Sequence, residues 1–108
     1  MSILTIDVQA KEWFDRTYGN SYVAIRLYIN YGIKDEITLY GPYTYGYGDY
    51  YMQYARELLY KNGYIENIEE YCTLSTYCRE NGIVLRQSKE TRCLKRDVKM
   101  WGDPLISR

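Results

Sequence analysis

The sequence predicts an α+β domain, a mainly antiparallel sheet with two helices packed on one face, in the order β-β-β-α-α-β-β. Apolar and polar residues alternate near the amino terminus and again over 22–30, a pattern typical of strands with one buried face. A helical apolar stripe follows over 51–59. The 108 residues contain no internal repeat, so we expect one domain over 1–108, with 103–108 as a loosely ordered tail.

Three strands are predicted in the first forty residues. The segment ILTIDVQA (3–10) alternates with period two, and YVAIRLYIN (22–30) does so most clearly. Between them, WFDRTYGNSY breaks the alternation, and the turn-forming residues 18–21 favour a reversal. The strand EITLY (36–40) continues the apolar face, so we expect an antiparallel hairpin with 22–30.

The first predicted helix begins after Asp49, a residue type that accepts hydrogen bonds from free amides at a helix start. Gly63 ends this helix, because a glycine permits the left-handed backbone conformation at that position. The apolar stripe between them consists of Tyr51, Tyr54, Ala55, Leu58 and Leu59.

A second helix is predicted over 67–80 and is stopped by Asn81 and Gly82. Acidic residues at its start complement the helix dipole. They are Glu66, Glu69 and Glu70, and the predicted inner face is Ile68, Tyr71, Cys72 and Ser75. Two strands are then expected, IVLRQ (83–87) and RCLKRDVKMW (92–101), the latter anchored by Leu94, Val98 and Trp101.

The composition excludes several functional classes. The chain has 14 Lys and Arg, 14 Asp and Glu, and no histidine, so imidazole-based nucleophilic catalysis and imidazole metal ligands are absent. We expect no enzymatic activity, no cofactor and no metal. The three cysteines, Cys72, Cys78 and Cys93, lack zinc-site spacing and are predicted to be free and mostly buried. The amino terminus lacks signal-peptide features, so a cytoplasmic location is expected.

A tyrosine-rich stretch is the first candidate for a binding surface. LYGPYTYGYGDYY includes TYGYGD, which is one letter from the potassium-channel filter TVGYGD. A filter needs flanking apolar membrane spans of about 20 residues. This chain has none, so no membrane association is expected. Tyrosine is instead enriched in the cores of protein interfaces. We therefore predict a protein-contact surface on a glycine-hinged loop, formed by Tyr43, Tyr45, Tyr47 and Tyr50 and supported by Trp13.

A local excess of basic residues gives the alternative. Over 86–99 the chain carries Arg86, Lys89, Arg92, Lys95, Arg96 and Lys99 against two carboxylates, Glu90 and Asp97. On a hairpin, alternate members share a face and can meet phosphates. Together with exposed tyrosines, such a face can stack the bases of a single strand. The competing interpretation is a solvated sheet edge whose lysines discourage aggregation.

A homodimer is a further possibility from the sequence. The polar-facing residues of the clearest strand, Tyr22, Arg26 and Tyr28, together with the sheet edges, offer a patch that can pair with its own copy.

Several segments resemble a group of small orphan proteins encoded by bacteriophages and prophages. They are AKEWFDRTYGNSY (10–22), the alternating strand after it, YGYGDYYMQYARELL (45–59) and YCRENGI (77–83), and the resemblance spans about 3–100. The group has no settled activity, so no catalytic residue is implied. The resemblance implies an accessory factor acting in the bacterial cytoplasm. We expect an anti-CRISPR or other anti-defence inhibitor that binds a host defence protein or ribonucleoprotein complex. The neutral net charge argues against DNA mimicry.

Overall fold

A computed structural model describes residues 2–66, 73–103 and 105. Over these residues the fold is α+β, with a four-stranded mixed sheet and three helices. The elements in chain order are β1 (Thr5–Asp15), β2 (Asn20–Ile29), β3 (Ile37–Tyr45), α1 (Tyr50–Lys61), α2 (Leu74–Glu80), β4 (Val84–Glu90) and α3 (Lys95–Gly102).

The strands lie in the order β3-β2-β1-β4. β1 and β3 each pair antiparallel with β2, as expected for chain segments joined by short turns. β4 lies on the other side of β1 and runs parallel to it, because the chain passes through α1 and α2 before it returns to the sheet. Two of the three pairings are antiparallel, so the predicted sheet type agrees in outline.

One face of the sheet carries the hydrophobic core, which α1 and α2 cover. Alternate residues of the two central strands point into it, as the period-two pattern predicted. The completely buried core side chains include Ile6, Val8, Ile25, Leu27 and Ile29 from the sheet, and Ala55 and Leu59 from α1. Leu74 and Cys78 of α2 complete this core.

The prediction of a strand over 92–101 is wrong, because Lys95–Gly102 forms helix α3. Leu94, Val98 and Trp101 follow each other at intervals of four and three residues, which is helical spacing. α3 packs on the opposite face of the sheet from α1 and α2, so the prediction that all helices share one face is also wrong. Val98 of α3 and Ala24 of β2 are both completely buried where the helix meets the sheet.

Small residues allow α3 to approach the sheet closely. A Cβ atom on Gly102 would meet the carbonyl oxygen of Gly41 and lie 2.9 Å from the Cβ of Ala24. Gly102 therefore belongs to the buried contact between helix and sheet, whereas Pro104 and 106–108 of the predicted tail lie outside the described residues.

Both strand segments next to the predicted turns are longer than expected. β1 continues through Trp13 and Phe14 to Asp15, so this stretch is a strand and not a turn-rich segment. β3 continues through Tyr43 to Tyr45, with a shift in its pairing register opposite Val23 and Ile25. A bulge of this kind accommodates the Gly41-Pro42 pair within a strand at the sheet edge.

The helix ends agree with the sequence in part. Asp49 precedes α1 but its side chain makes no capping hydrogen bond, so its predicted role is wrong. Gly63 and Gly82 take the left-handed backbone expected after a helix, with φ of 77° and 68°. Thr73 caps α2, where its side chain accepts a hydrogen bond from the amide of Thr76.

The predicted start of the second helix at 67 is wrong, because α2 begins at Leu74 and the extended Thr73 is its N-cap. The predicted inner-face residues Ile68, Tyr71 and Cys72, and the acidic Glu69 and Glu70, lie outside the described residues. Ser75 is exposed, so its predicted place on the inner face is wrong. The described helices include none long and apolar enough to cross a membrane.

Candidate functional site

Three aromatic rings form a continuous stack on the α3 side of the sheet. Trp13 and Tyr22 are directly opposite each other on β1 and β2, and their ring centroids are 5.6 Å apart with planes inclined by 25°. Tyr43 of β3 lies beyond Tyr22 at 5.0 Å, with planes inclined by only 6°. We call Trp13, Tyr22 and Tyr43 the aromatic row. It exists because β1 and β3 extend further than the sequence indicated.

Two lysines of α3 lie over the ends of the aromatic row. The Nζ atom of Lys95 is 5.3 Å from the ring centroid of Trp13, and that of Lys99 is 5.8 Å from Tyr43. The two lysines are four residues apart and therefore share one side of the helix. Within the described part of the chain, neither has a carboxylate within ion-pair distance. Two of the predicted basic residues and two of the predicted aromatic residues thus form one surface.

A cleft lies on the other flank of α3. Its volume is about 470 Å³, and we call it the cationic cleft. The residues that line it are Lys11, Arg26, Arg96, Asp97, Met100 and Trp101. α3 packs on Ala24 of β2. Tyr22 of the aromatic row and Arg26 of the cleft lie on the same face of β2, two residues before and two residues after Ala24, so α3 separates the cleft from the aromatic row.

Arg26 is held rigidly against Trp101 in this cleft. Its guanidinium carbon is 3.9 Å from the indole centroid, and its Nε donates a 2.9 Å hydrogen bond to the Trp101 carbonyl oxygen. The indole Nε1 in turn donates to the Gln9 carbonyl oxygen at 2.9 Å. Lys11 approaches the same ring at 4.6 Å. The indole is therefore fixed as one wall of the cleft, with two cations on it.

The predicted tyrosine surface is divided by the structure. Tyr45 is 57% exposed and meets the aromatic row edge-on through Tyr22, at 5.9 Å and 82°. Tyr47 is 70% exposed and precedes α1. Tyr50 lies at the start of α1 and stacks on Tyr54, at 6.0 Å and 23°. The expected location of all four on one loop is wrong, because Tyr43 and Tyr45 belong to β3.

The predicted basic residues are divided too, because the expected hairpin over 83–101 is a strand followed by a helix. Arg86 forms two hydrogen bonds with the Asp7 carboxylate, at 2.7 and 3.1 Å. Lys89 points to the opposite face, where it donates to the Gly48 carbonyl oxygen at 2.9 Å. These two charges are engaged within the fold. Arg92 lies in the turn before α3 with a left-handed φ of 61°.

The face proposed for a homodimer is partly covered. Tyr22 and Arg26 are half-buried, and Arg26 is in contact with Trp101 of α3, so the helix occupies part of this face. Tyr28 stays outside this contact and meets the ring of Tyr31 edge-on at 5.4 Å. The homodimer stays a prediction.

Burial shifts several titrating groups. Desolvation raises the pKa of Tyr54 to about 12, with smaller contributions from Tyr50 and Glu57. Desolvation is also the main cause that raises the pKa of Tyr43 and Tyr50. It raises the pKa of the Cys78 thiol to about 11, so this cysteine is unreactive near neutral pH. The described residues contain no cluster of carboxylates and cysteines able to hold a metal ion.

Sequence reasoning did not assign Lys11, Arg26 or Trp101 to a common site. The useful signal was present in the helical spacing of Leu94, Val98 and Trp101, which places Trp101 and Val98 on one side of a helix. A helix at this position must cover part of the sheet, and the alternation of β2 shows which residues it meets.

Comparison with protein-family models, with curated proteins and with solved structures gives no match for this chain.

The neutral net charge conceals a segregation of charge along the chain. Residues 49–80 carry six Asp and Glu against three Lys and Arg, whereas 84–103 carry six Lys and Arg against three Asp and Glu. The first segment includes α1 and α2, and the second consists of β4, α3 and the turn between them. The segment of the chain that contains α3 is therefore basic despite a formal net charge of zero.

Proposed function

We propose that this chain is a non-enzymatic binding protein that takes single-stranded nucleic acid on its α3 face. The observation that carries the proposal is the convergence of the aromatic row with Lys95 and Lys99. Proteins that bind single strands combine cations that follow the backbone with aromatic rings on which bases stack. Lys95 and Lys99 supply the cations here. Tyr45, the exposed ring at the edge of the aromatic row, supplies a face for a base, because Tyr22 is already stacked between the other two rings of the row.

The charges on α3 favour an anionic partner. Lys95 and Lys99 have no carboxylate at ion-pair distance within the described residues, so a phosphate does not have to displace an internal partner. The same holds for Arg96 on the exposed side of the helix. Lysine and arginine side chains of this kind displace the counterions condensed on nucleic-acid phosphates, and this release supplies most of the affinity of non-specific binding.

Tyr45 supplies an exposed ring in direct contact with the aromatic row. Its exposed fraction of 57% exceeds that of any ring in the aromatic row, and it lies next to Tyr22 at the row's edge. Base stacking on a ring contributes about 1–3 kcal/mol and tolerates any base. The proposal therefore predicts affinity with little sequence preference.

The test is fluorescence anisotropy with labelled single strands of about 12 nucleotides, within the usual site sizes. Binding should weaken linearly with the logarithm of salt between about 50 and 200 mM. The double variant Lys95→Gln with Lys99→Gln should reduce the slope by about 1.4, which is about 0.7 for each lost contact. A double-stranded control should bind more weakly, because its bases are not free to stack.

The matched control is Lys34→Gln with Lys61→Gln, which removes two exposed lysines far from α3 in sequence. It should leave the affinity and the slope unchanged. Absence of binding at about 50 mM salt would contradict the proposal, since electrostatic contacts are strongest there. An equal loss in the control variant would contradict the assignment to α3.

A protein contact is the second candidate, and the exposure of Tyr45 and Tyr47 favours it. This is the expected inhibitor of a bacterial antiviral defence system, which stays a prediction. Tyr45→Ala with Tyr47→Ala should cost about 2 kcal/mol or more for each true anchor. A pull-down after nuclease treatment would lose the host protein in this variant and keep it in the control Tyr18→Ala, a ring that is 77% exposed elsewhere.

A further inference from the structure

We propose that the cationic cleft binds a phosphate monoester at the end of a nucleic-acid strand, an inference that rests on the proposed function and gives it a preferred substrate. The cleft and the aromatic row lie on opposite flanks of α3. A strand stacked on Tyr45 at the edge of the row can therefore reach the cleft only where it passes the helix, which suits an end better than a continuing chain.

Arg26 is prepared to receive an oxyanion. Its Nε already donates a hydrogen bond to the Trp101 carbonyl oxygen and its guanidinium carbon lies 3.9 Å from the indole centroid, so the side chain loses little freedom on binding. The two terminal nitrogens make no hydrogen bond within the described residues. A planar guanidinium with both terminal nitrogens open matches two oxygens of one phosphate.

Arg86 provides a comparison with Arg26, because its charge is already balanced by a carboxylate. Its guanidinium holds both oxygens of the Asp7 carboxylate, the same two-point geometry that a phosphate would use. Arg26 and Arg96 have no such carboxylate within the described residues. The fold therefore leaves these two arginines without an anion in a shared cleft.

The charge of the lining fits a monoester better than an internal phosphodiester. Lys11, Arg26 and Arg96 against the single carboxylate Asp97 leave two positive charges. A monoester carries about −1.5 to −2 near neutral pH, which balances them, whereas a phosphodiester carries a single charge. Lys11 also meets Glu90 at 3.5 Å, but the Glu90 side chain is 66% exposed, so this pair is weak and easily exchanged.

The cleft is also large enough for the last nucleotide. Its volume of about 470 Å³ lies within the range of ordinary ligand pockets. Met100 and Trp101 provide apolar surface beside the cations, on which a sugar or base can rest. The lining thus combines both kinds of contact that a terminal nucleotide requires.

The test compares three otherwise identical single strands, with a 5′-phosphate, with a 3′-phosphate and with hydroxyls at both ends. One phosphorylated strand should bind about tenfold more tightly than the hydroxyl strand, as expected for an additional charge-assisted contact. Arg96→Gln should remove this preference, since the side chain has no ion pair of its own to lose within the described residues. Arg26→Gln should do the same, and Arg79→Gln in α2 should retain the preference.

The outcomes separate this inference from the proposed function. Equal affinity for all three strands would overturn the terminal site while single-strand binding stands. Absence of binding to any strand would contradict the proposed function, and the inference would fall with it. Binding of adenosine monophosphate without binding of any strand would overturn the assignment to a strand end, because the monoester would then come from a free nucleotide.

Discussion

The two faces of the central sheet differ in how their residues are used. On the α1 and α2 side, alternate residues of β1 and β2 are apolar and completely buried, as Ile6, Val8 and Leu27 illustrate. On the α3 side, the residues between them include aromatic and charged side chains that remain partly exposed, as Trp13, Arg26 and Lys11 do. The same two strands therefore build a core with one set of side chains and a candidate binding face with the other.

The two faces of the sheet show how a small domain can carry a polar face without losing stability. The apolar face supplies burial, the dominant favourable term in folding. The α3 face is fixed by specific geometry, namely the ring stack, the Arg26–Trp101 contact and the small residues beneath the helix. Substitutions on the two faces should therefore have different effects.

The largest expected effect is on the apolar face. Ile25→Ala should lower the free energy of unfolding by about 2–5 kcal/mol, because it removes completely buried methyl groups and leaves a cavity. Chemical denaturation followed by circular dichroism measures this. The control Phe14→Ala removes a ring that is 52% exposed and should cost far less. Equal costs would mean that the core is not where the structure places it.

The next largest effect tests how α3 is seated. Gly102→Ala should lower the free energy of unfolding by about 1–3 kcal/mol, because the new methyl group meets the Gly41 carbonyl oxygen and Ala24. The variant should also shift α3 and weaken the preference for phosphorylated strands. Ser75→Ala on the exposed side of α2 is the control. A Gly102→Ala protein with unchanged stability would contradict the close contact between helix and sheet.

A smaller effect is the pH dependence of stability that arises from Tyr54. The Tyr54 hydroxyl donates a 2.7 Å hydrogen bond to the Pro42 carbonyl oxygen, and desolvation raises its pKa to about 12. A raised pKa means that the folded state favours the neutral phenol. Its contribution to stability is therefore complete below pH of about 10, the ordinary value, and is lost as pH rises towards 12.

Ultraviolet absorbance during an alkaline titration measures this directly. Tyr54→Phe should remove a late-ionising component and cost about 0.5–1.5 kcal/mol at neutral pH for the lost hydrogen bond. The control Tyr47→Phe, at an exposed ring, should leave the late-ionising component in place. A late component that persists in Tyr54→Phe would assign the raised pKa to another tyrosine.

The smallest effect concerns the charge pair on the sheet surface. Arg86→Gln should change the free energy of unfolding by about 0–1 kcal/mol, because the arginine side chain is 57% exposed. It should leave oligonucleotide affinity nearly unchanged, since its charge is balanced by Asp7 in the fold. A loss of affinity comparable with that of Arg96→Gln would extend the binding face to β4.

The sequence predicted the apolar face well and the α3 face poorly, for a physical reason. Period-two alternation in 22–30 depends on local pattern alone, and it correctly identified Ile25 and Leu27 as inward residues. The stacking of Trp13 on Tyr22 depends on strand register, and that of Tyr43 on a bulge in β3. Neither feature is encoded in a short window of sequence.

The misassigned segment 92–101 shows the same limit in another form. Its basic residues and apolar anchors are evident in the sequence, but the spacing of Leu94, Val98 and Trp101 belongs to a helix and not to the predicted strand. This error separated the lysines from the tyrosines, which are on one surface in the structure. Two alternative sites in the sequence thereby become parts of a single candidate site.

The most direct test of nucleic-acid binding by the α3 face is a map of backbone amide and indole chemical shifts during titration with a single-stranded oligonucleotide. We expect the largest chemical-shift changes to cluster on the α3 face, at Trp13, Lys95 and Lys99. When the strand carries a terminal phosphate, the indole N–H of Trp101 should shift as well. Residues of α1 and α2 should stay unchanged. Changes centred on α1 or α2, or no changes at low salt, would contradict the claim that the α3 face binds nucleic acid.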